Sequence, residues 1–263
     1  MHGLGNDFII ISKNELPKST NINSFIAKIC HRRLGIGADQ FIIYNQDNKI
    51  SNKYHVDIYN QDGSPAEACG NAMRCIARLI YDNSQQKEIV IAVAKRNIHC
   101  NYITKDEISV DMGVVSFDKA WMPNNDELWN LANNYGLEPK EVICVDVGNP
   151  HLVIFTELSD KDKKIIGKDF EKHELFKDGV NVNFPSLIND KIYLKVWERG
   201  TGFTLACGSG AAASFAASHK LGFVSEKAEV IFDLGTLKMA YHNNNIVMNG
   251  SATYVFLGEY VYD

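Results

Sequence analysis

The stretch TLACGSGAAASFAASHKLG, residues 204–222, sets a cysteine directly ahead of Gly-Ser-Gly and a run of small residues. Alanine is the strongest helix former, so Gly208 onward reads as a helix. His219 and Lys220 stand in its last turn, and Gly222 follows where a left-handed stop belongs. Residues 67–83, EACGNAMRCIARLIYDN, repeat the arrangement: Ala-Cys-Gly, a small polar residue, then a helical pattern. Cys69 and Cys207 therefore each stand at the threshold of a helix, 207 − 69 = 138 positions apart in a chain of 263 residues. The repetition predicts two halves built alike.

Around these helices lie short apolar or alternating runs: FIIYN, YHVDIYN, EIVIAVA, EISVDM, HLVIF, KIYLKVW, AEVIF and ATYVFLGEY. Each is flanked by Gly, Asn or Asp and reads as a strand. Two further helices are expected. One covers residues 24–34, with Ser24 as its cap and Gly35 beyond its end. The other covers residues 125–135, with an acidic first turn and Gly136 at its stop. The fold class is mixed α/β (α+β mixed) in two pseudo-symmetric domains, residues 1–113 and 114–251. They are divided where GVVSFDKAWMPNN loses periodicity.

Composition narrows the function. The chain is 45% hydrophobic and 22% charged with a net charge of −5, and its basic residues form no block. A nucleic-acid surface, which leans on clustered Lys and Arg, is not expected. No apolar run approaches the ~18 residues of a membrane span. The opening MHGLGNDFIIISKN lacks the basic region of a signal peptide, and none of the six cysteines forms a Cys-x-x-Cys pair. A cytoplasmic protein with reduced thiols, no metal and no cofactor is expected.

A cysteine at a helix N-terminus meets free N–H groups and the positive end of the helix dipole, both of which favour its thiolate. The dipole contributes roughly 0.3–1 kcal/mol, or about one pKa unit at most. Glycine after the cysteine leaves the backbone bare for an approaching carboxylate. Two such sites acting on one carbon would remove a proton from one face and return one to the other. A lone cysteine before a helix is more often a small buried apolar side chain; it is the pairing that favours chemistry.

Six motifs, in order and at their spacing, carry a resemblance that runs nearly the length of the chain: HGLGNDF, GIGADQ, ACGNAMRC, GNPH, VNVNF and ERGTGFTLACGSG. The chain resembles the diaminopimelate epimerases. The resemblance implies two similar domains, each wrapping mixed strands around a central helix, with a C-terminal strand, about residues 252–263, returning to the first. It implies cofactor-independent conversion of LL- to meso-diaminopimelate by a two-base mechanism, in lysine and peptidoglycan precursor synthesis, by a homodimer. Cys69 and Cys207 match the acid/base pair, and His151 and Glu198 match the groups that tune the thiols. Gly70, Asn71, Gly208 and Ser209 match the cradle of the reacting carboxylate. Asn6, Gln40, Asn60, Asn149, Asn181, Glu198 and Arg199 match the substrate contacts.

Three residues depart from the family pattern: Ala72 stands for Gly, Phe203 for an acidic residue and Leu152 for a frequent Cys. The chain also begins almost at its first motif, so either an incorrect start or a shortened edge strand is expected. Other readings stay open. A proline or hydroxyproline racemase-like enzyme shares the fold, but a small cyclic substrate would not need Asn60, Asn181 and Arg199. A dinucleotide-dependent oxidoreductase would use GSGAAA as a loose G-x-G-x-x-A, although the residues before it, RGTGFTLAC, do not read as a strand. A thiol nucleophile would pair Cys207 with His151 or His219. A binding module leaves the paired cysteines unexplained.

Overall fold

Phe41, Ile42 and Ile43 follow one another in the strand Gln40–Gln46, and all three are buried. Successive strand residues face opposite ways, so this strand is covered on both sides. Phe41 and Ile43 pack with Phe25, Ile26 and Ile29 of helix α1 (Ile22–Ile29), while Ile42 points to the other face. Helix α2 (Gly70–Ser84) packs against the strands His2–Gly3, Asn6–Ser12 and Arg96–Thr104. In this computed structural model, residues 1–17, 21–66 and 69–261 are described. They divide into two units, Met1–Val110 with Gly250–Asp263, and Asp111–Asn249. The remaining helices, α3 (Asn125–Asn133), α4 (Asp160–Glu171) and α5 (Gly208–Lys220), all belong to the second unit.

The two units repeat one topology. In the first, the strands run His2–Gly3, Asn6–Ser12, Gln40–Gln46, Lys53–Asn60, Glu88–Val93, Arg96–Thr104 and Glu107–Val114. Successive neighbours pair antiparallel, parallel, antiparallel, parallel, antiparallel and antiparallel. In the second, the order is Val142–Asp146, Pro150–Ile154, Asn181–Ile188, Lys191–Glu198, Lys227–Phe232, Gly235–His242 and Asn245–Gly250, and the same series of pairings recurs. A parallel pair needs a long crossover. In both units the first parallel step carries one helix (α1 or α4) and the second carries the helix behind the cysteine (α2 or α5).

Helix α5 is buried from Gly210 to Ser218 without interruption. It packs against six strands of its unit, from Val142–Asp146 through Gly235–His242. A helix buried all round cannot be amphipathic, and its Ala, Gly and Ser side chains let strands approach on every side. The loose dinucleotide reading fails here. Only the three-residue strand Gly202–Thr204 precedes GSGAAA, antiparallel to Lys191–Glu198, and the helix behind it is the centre of the unit.

Local differences from the sequence reading have physical causes. Helix α1 begins earlier than expected because Asn21, not Ser24, caps it, accepting from the amides of Asn23 and Ser24. It ends at Ile29 rather than continuing to residue 34. Gly35 then lies so close to the chain that an added Cβ would sit 2.3 Å from the Lys28 carbonyl oxygen. Helix α3 has a capping box, Asn124 with Glu127, and Gly136 follows it at a φ of 71°. Helix α4 was not expected, because DKDKKIIGKDFE is dense in charge and interrupted by Gly167. Tertiary contacts rescue it: Ile166 and Phe170 are buried, and Gly167 lies against the Trp197 ring, where a Cβ would come within 2.8 Å. The ATYVFLGEY run, expected as a strand, forms only a bridge from Thr253 to His2.

Phe215 is wholly buried within α5 and packs on His219 and Tyr241. Phe215→Ala is expected to cost about 3–5 kcal/mol of stability, read as a lower midpoint in urea; a loss under 1 kcal/mol would mean that α5 is not the rigid centre of its unit.

Candidate active site

Each unit sets its cysteine at the N-cap of its main helix. Cys207 caps α5 in extended conformation, with the Gly210 amide donating to Sγ at 3.4 Å. Cys69 caps α2 in similar conformation, at φ −115° and ψ 120°. Cys207 is 5% exposed, whereas Cys69 is half-buried. All six cysteines carry free thiols.

The thiols meet different acceptors. Cys207 Sγ donates to Glu198 Oε2 at 3.2 Å and lies 3.4 Å from Ser209 Oγ. Thr204 Oγ1 holds the other Glu198 oxygen, Oε1. Burial pushes the Cys207 thiol well above its ordinary range, and the Glu198 carboxylate pushes the same way, against the opposing bonds from Ser209 and Gly210. The thiolate expected from the helix end is therefore not the resting form of Cys207, because one dipole is a small effect beside burial and a neighbouring anion. Cys69 Sγ instead faces a neutral amide, Asn6 Oδ1, at 3.5 Å. Asn71 Nδ2 donates to the same oxygen at 3.4 Å.

His151 lies wholly buried between two amides. Its Nε2 is 3.1 Å from Asn149 Oδ1, and its Nδ1 is 3.1 Å from Asn183 Nδ2. Asn183 Nδ2 also donates to the Leu152 carbonyl at 2.9 Å, which identifies that end of the amide as the NH₂. Nδ1 therefore accepts, and the hydrogen sits on Nε2, facing Asn149. Burial holds His151 down to about 4, so the imidazole is neutral at neutral pH. Asn183 connects this group to α5: a Cβ on Gly210 would meet Asn183 Oδ1 at 2.7 Å.

The other expected residues fall into pairs. In the first unit, Gln40 Nε2 donates to Asn60 Oδ1 across adjacent strands at 3.4 Å. In the second, the Arg199 amide donates to Asn181 Oδ1 at 3.0 Å, Asn181 Nδ2 donates to the Pro150 carbonyl, and Arg199 Nη1 reaches the Asp178 carbonyl. Gly70 and Asn71 open α2, and Gly208 and Ser209 open α5. Among the described residues no group of His, Cys, Asp and Glu is arranged to hold a metal ion, and no helix is long and apolar enough to cross a membrane.

These positions correspond between the units. Gln40 and Asn181 each begin the third strand of the series, and Asn60 and Glu198 each end the fourth. Each strand end precedes its cysteine by nine positions. Asn6 and Asn149 each stand two residues before a register partner of the third strand, Phe8 opposite Gln40 and His151 opposite Asn181. Sequence reading missed Asn183, Thr204 and Asp39, whose side chains orient these groups. Asn183 was legible in principle, since Asn-x-Asn in a strand puts both amides on one face.

A family model described as diaminopimelate epimerase matches residues 1–117 and 143–255. The chain belongs to the diaminopimelate epimerase family. A diaminopimelate epimerase of Rickettsia akari (strain Hartford) is 51% identical over 263 residues, which are 100% of this chain and 96% of that protein. The fold also resembles that of a PhzF-family phenazine biosynthesis protein from Bacillus anthracis, with a TM-score of 0.70 at 13% identity over 97% of this chain and 93% of that one. A hydroxyproline epimerase from Agrobacterium vitis aligns with a TM-score of 0.58 at 11% identity, covering 96% and 89%.

The departures from the family pattern are accommodated. Ala72 is fully buried in the first turn of α2, Leu152 fills the second unit's core, and Phe203 packs edge-on against Trp197 at 5.1 Å. Neutralising Glu198 removes the anion that keeps Cys207 protonated. Glu198→Gln is expected to move the pH midpoint of Cys207 alkylation downward, as followed by iodoacetamide and peptide mass spectrometry; an unmoved or higher midpoint would show that burial alone sets this thiol.

Proposed function

We propose that this protein converts LL-diaminopimelate to meso-diaminopimelate without a cofactor, with Cys69 and Cys207 as the two bases. The observation that carries the mechanism is the repetition itself: two units of one topology present a cysteine at the same N-cap position, behind a polar residue at the same strand end. One thiolate takes the α-proton and becomes a thiol, while the other thiol gives its proton to the opposite face and becomes a thiolate. Atoms and charge balance, with the roles of the sulfurs exchanged after each turnover. The amides of Gly70, Asn71, Gly208 and Ser209 supply donors for a substrate carboxylate whose charge grows as the carbanion forms. The protonated state of Cys207, set by burial and Glu198, supports its service as the acid toward the first substrate, leaving Cys69 as the base.

His151, neutral and held by Asn149 and Asn183, is proposed to tune the Cys207 side through the start of α5, and Glu198 to do so directly. Asn6, Gln40, Asn60, Asn149, Asn181, Glu198 and Arg199 are proposed to contact substrate. Their mix of amides, one anion and one cation suits the second amino-acid end of diaminopimelate better than a cyclic imino acid. A place in lysine and peptidoglycan precursor synthesis, in the cytoplasm, follows from that substrate.

Cys69→Ser and Cys207→Ser are each expected to lower epimerisation by at least about 10²–10⁴-fold while the protein stays folded by circular dichroism. The assay is NMR of the α-protons with LL-diaminopimelate in D₂O. Near-normal turnover by either folded variant would end the two-base reading.

A homodimer is also proposed. Val255, Phe256 and Leu257 are 62%, 57% and 80% exposed on consecutive residues, an apolar surface that a second copy would cover. Light scattering is expected to return twice the chain mass of 29.5 kDa; a monomer at micromolar concentration would refute it.

A further inference from the structure

Asn6 is held in one orientation from two directions. Its Nδ2 donates to Asp39 Oδ2 at 3.0 Å, and a carboxylate accepts only from an NH₂. From the other side, Arg74 Nη2 donates to Asn71 Oδ1 at 2.8 Å, so that Asn71 turns its own NH₂ toward Asn6. Both constraints put Asn6 Oδ1 toward Cys69. An amide flip would set NH₂ against NH₂ at Asn71 and carbonyl against carboxylate at Asp39.

Asp39 is itself clamped. The Asp39 amide donates to Asp7 Oδ1 at 2.7 Å, and the Asp7 amide donates to Asp39 Oδ2 at 3.2 Å. Arg32 then spans both carboxylates, with 2.9 and 2.8 Å bonds to Asp7 and a 2.6 Å bond to Asp39. The reciprocal pair ties the residues that enter the two parallel strands Asn6–Ser12 and Gln40–Gln46. Burial works against the Asp7 carboxylate, but the Arg32 guanidinium and the Asp39 amide outweigh it and hold its carboxyl below the usual range. The Asp7 carboxylate is thus charged across the neutral range.

We propose that Asp39 is a positioning residue that acts through Asn6: it presents an acceptor, and not a donor, to the Cys69 sulfur. This rests on the reading of Cys69 as one of the two bases. An acceptor bonds a thiol and cannot bond a thiolate, so Asn6 stabilises the thiol that Cys69 becomes when it takes a proton. Among the described residues, Arg74 on α2 interacts electrostatically with Cys69, as does Cys75 six positions further along the chain, and the Asp7–Arg32–Asp39 clamp meets the Asn6 amide.

The test is the pH profile of Cys69 alkylation by iodoacetamide, resolved from the other cysteines by peptide mass spectrometry. It needs no turnover, so it succeeds or fails separately from the epimerase assay. Asp39→Leu removes the acceptor that holds Asn6 Nδ2, leaving only the 3.4 Å Asn71 contact against a flip, and is expected to lower the midpoint by about one pH unit. In an Asn6→Ala background the same substitution is expected to move nothing further, because the intermediary is gone. Asp39→Ala, also neutral and without an acceptor, serves if Asp39→Leu does not fold. An unchanged midpoint in the single variant would overturn the proposal. So would a shift that persists in the Asn6→Ala background, since Asp39 would then act directly through its charge.

Discussion

A helix closely surrounded by strands is built mostly from small residues, and its first amide groups cannot be left to water. Those two conditions govern α5. Alanine, glycine and serine let six strands close around it, and the N-cap residue must serve the exposed amides at its start. Here that residue is a cysteine, so the packing problem delivers a sulfur to a fixed place at the positive end of a helix. Glycine at position 210 is part of the same solution, because Asn183 Oδ1 occupies the space a Cβ would need. The central helix, its cap and the buried amide network are one construction.

The second unit differs from the first in what it places near its cysteine. Glu198 and Asn60 hold corresponding strand ends, one a carboxylate and the other an amide. The carboxylate lies against Cys207 and keeps its proton on. Cys69 meets the neutral oxygen of Asn6. The repeated scaffold thus surrounds its two cysteines with unequal electrostatics. The same scaffold gives the second unit its neutral His151, where the corresponding position in the first is Phe8.

Several charged groups in this protein orient neutral side chains. Arg32, Asp7 and Asp39 fix which end of Asn6 faces sulfur, Arg74 does the same for Asn71, and Glu171 accepts from Trp197 Nε1 and the Gly200 amide beside Arg199. Asparagine is ambiguous on its own, since its two ends differ little in shape and oppositely in chemistry. A carboxylate or guanidinium at one end resolves the ambiguity at a cost that partly exposed ion pairs can meet.

The sequence by itself determined the class of fold, the two cysteine-headed helices, most strands and the family, because those features are local or repeated: periodicity, glycine stops and motif order. It pointed to Asn6, Asn60, Asn181 and Glu198 through motifs, and their counterpart positions were implicit in equal spacings. Tertiary structure alone decided the rest. Helix α4 exists because Ile166 and Phe170 find a core that its charge pattern conceals. Cys207 holds its proton because burial and a carboxylate nine residues away in sequence outweigh the helix dipole that sequence reasoning could see. Asp39, Thr204 and Asn183 gained roles only through partners brought from other strands. Protonation state and amide orientation depend on what lies within a few ångströms, and that is set by folding, not by neighbouring letters in the chain.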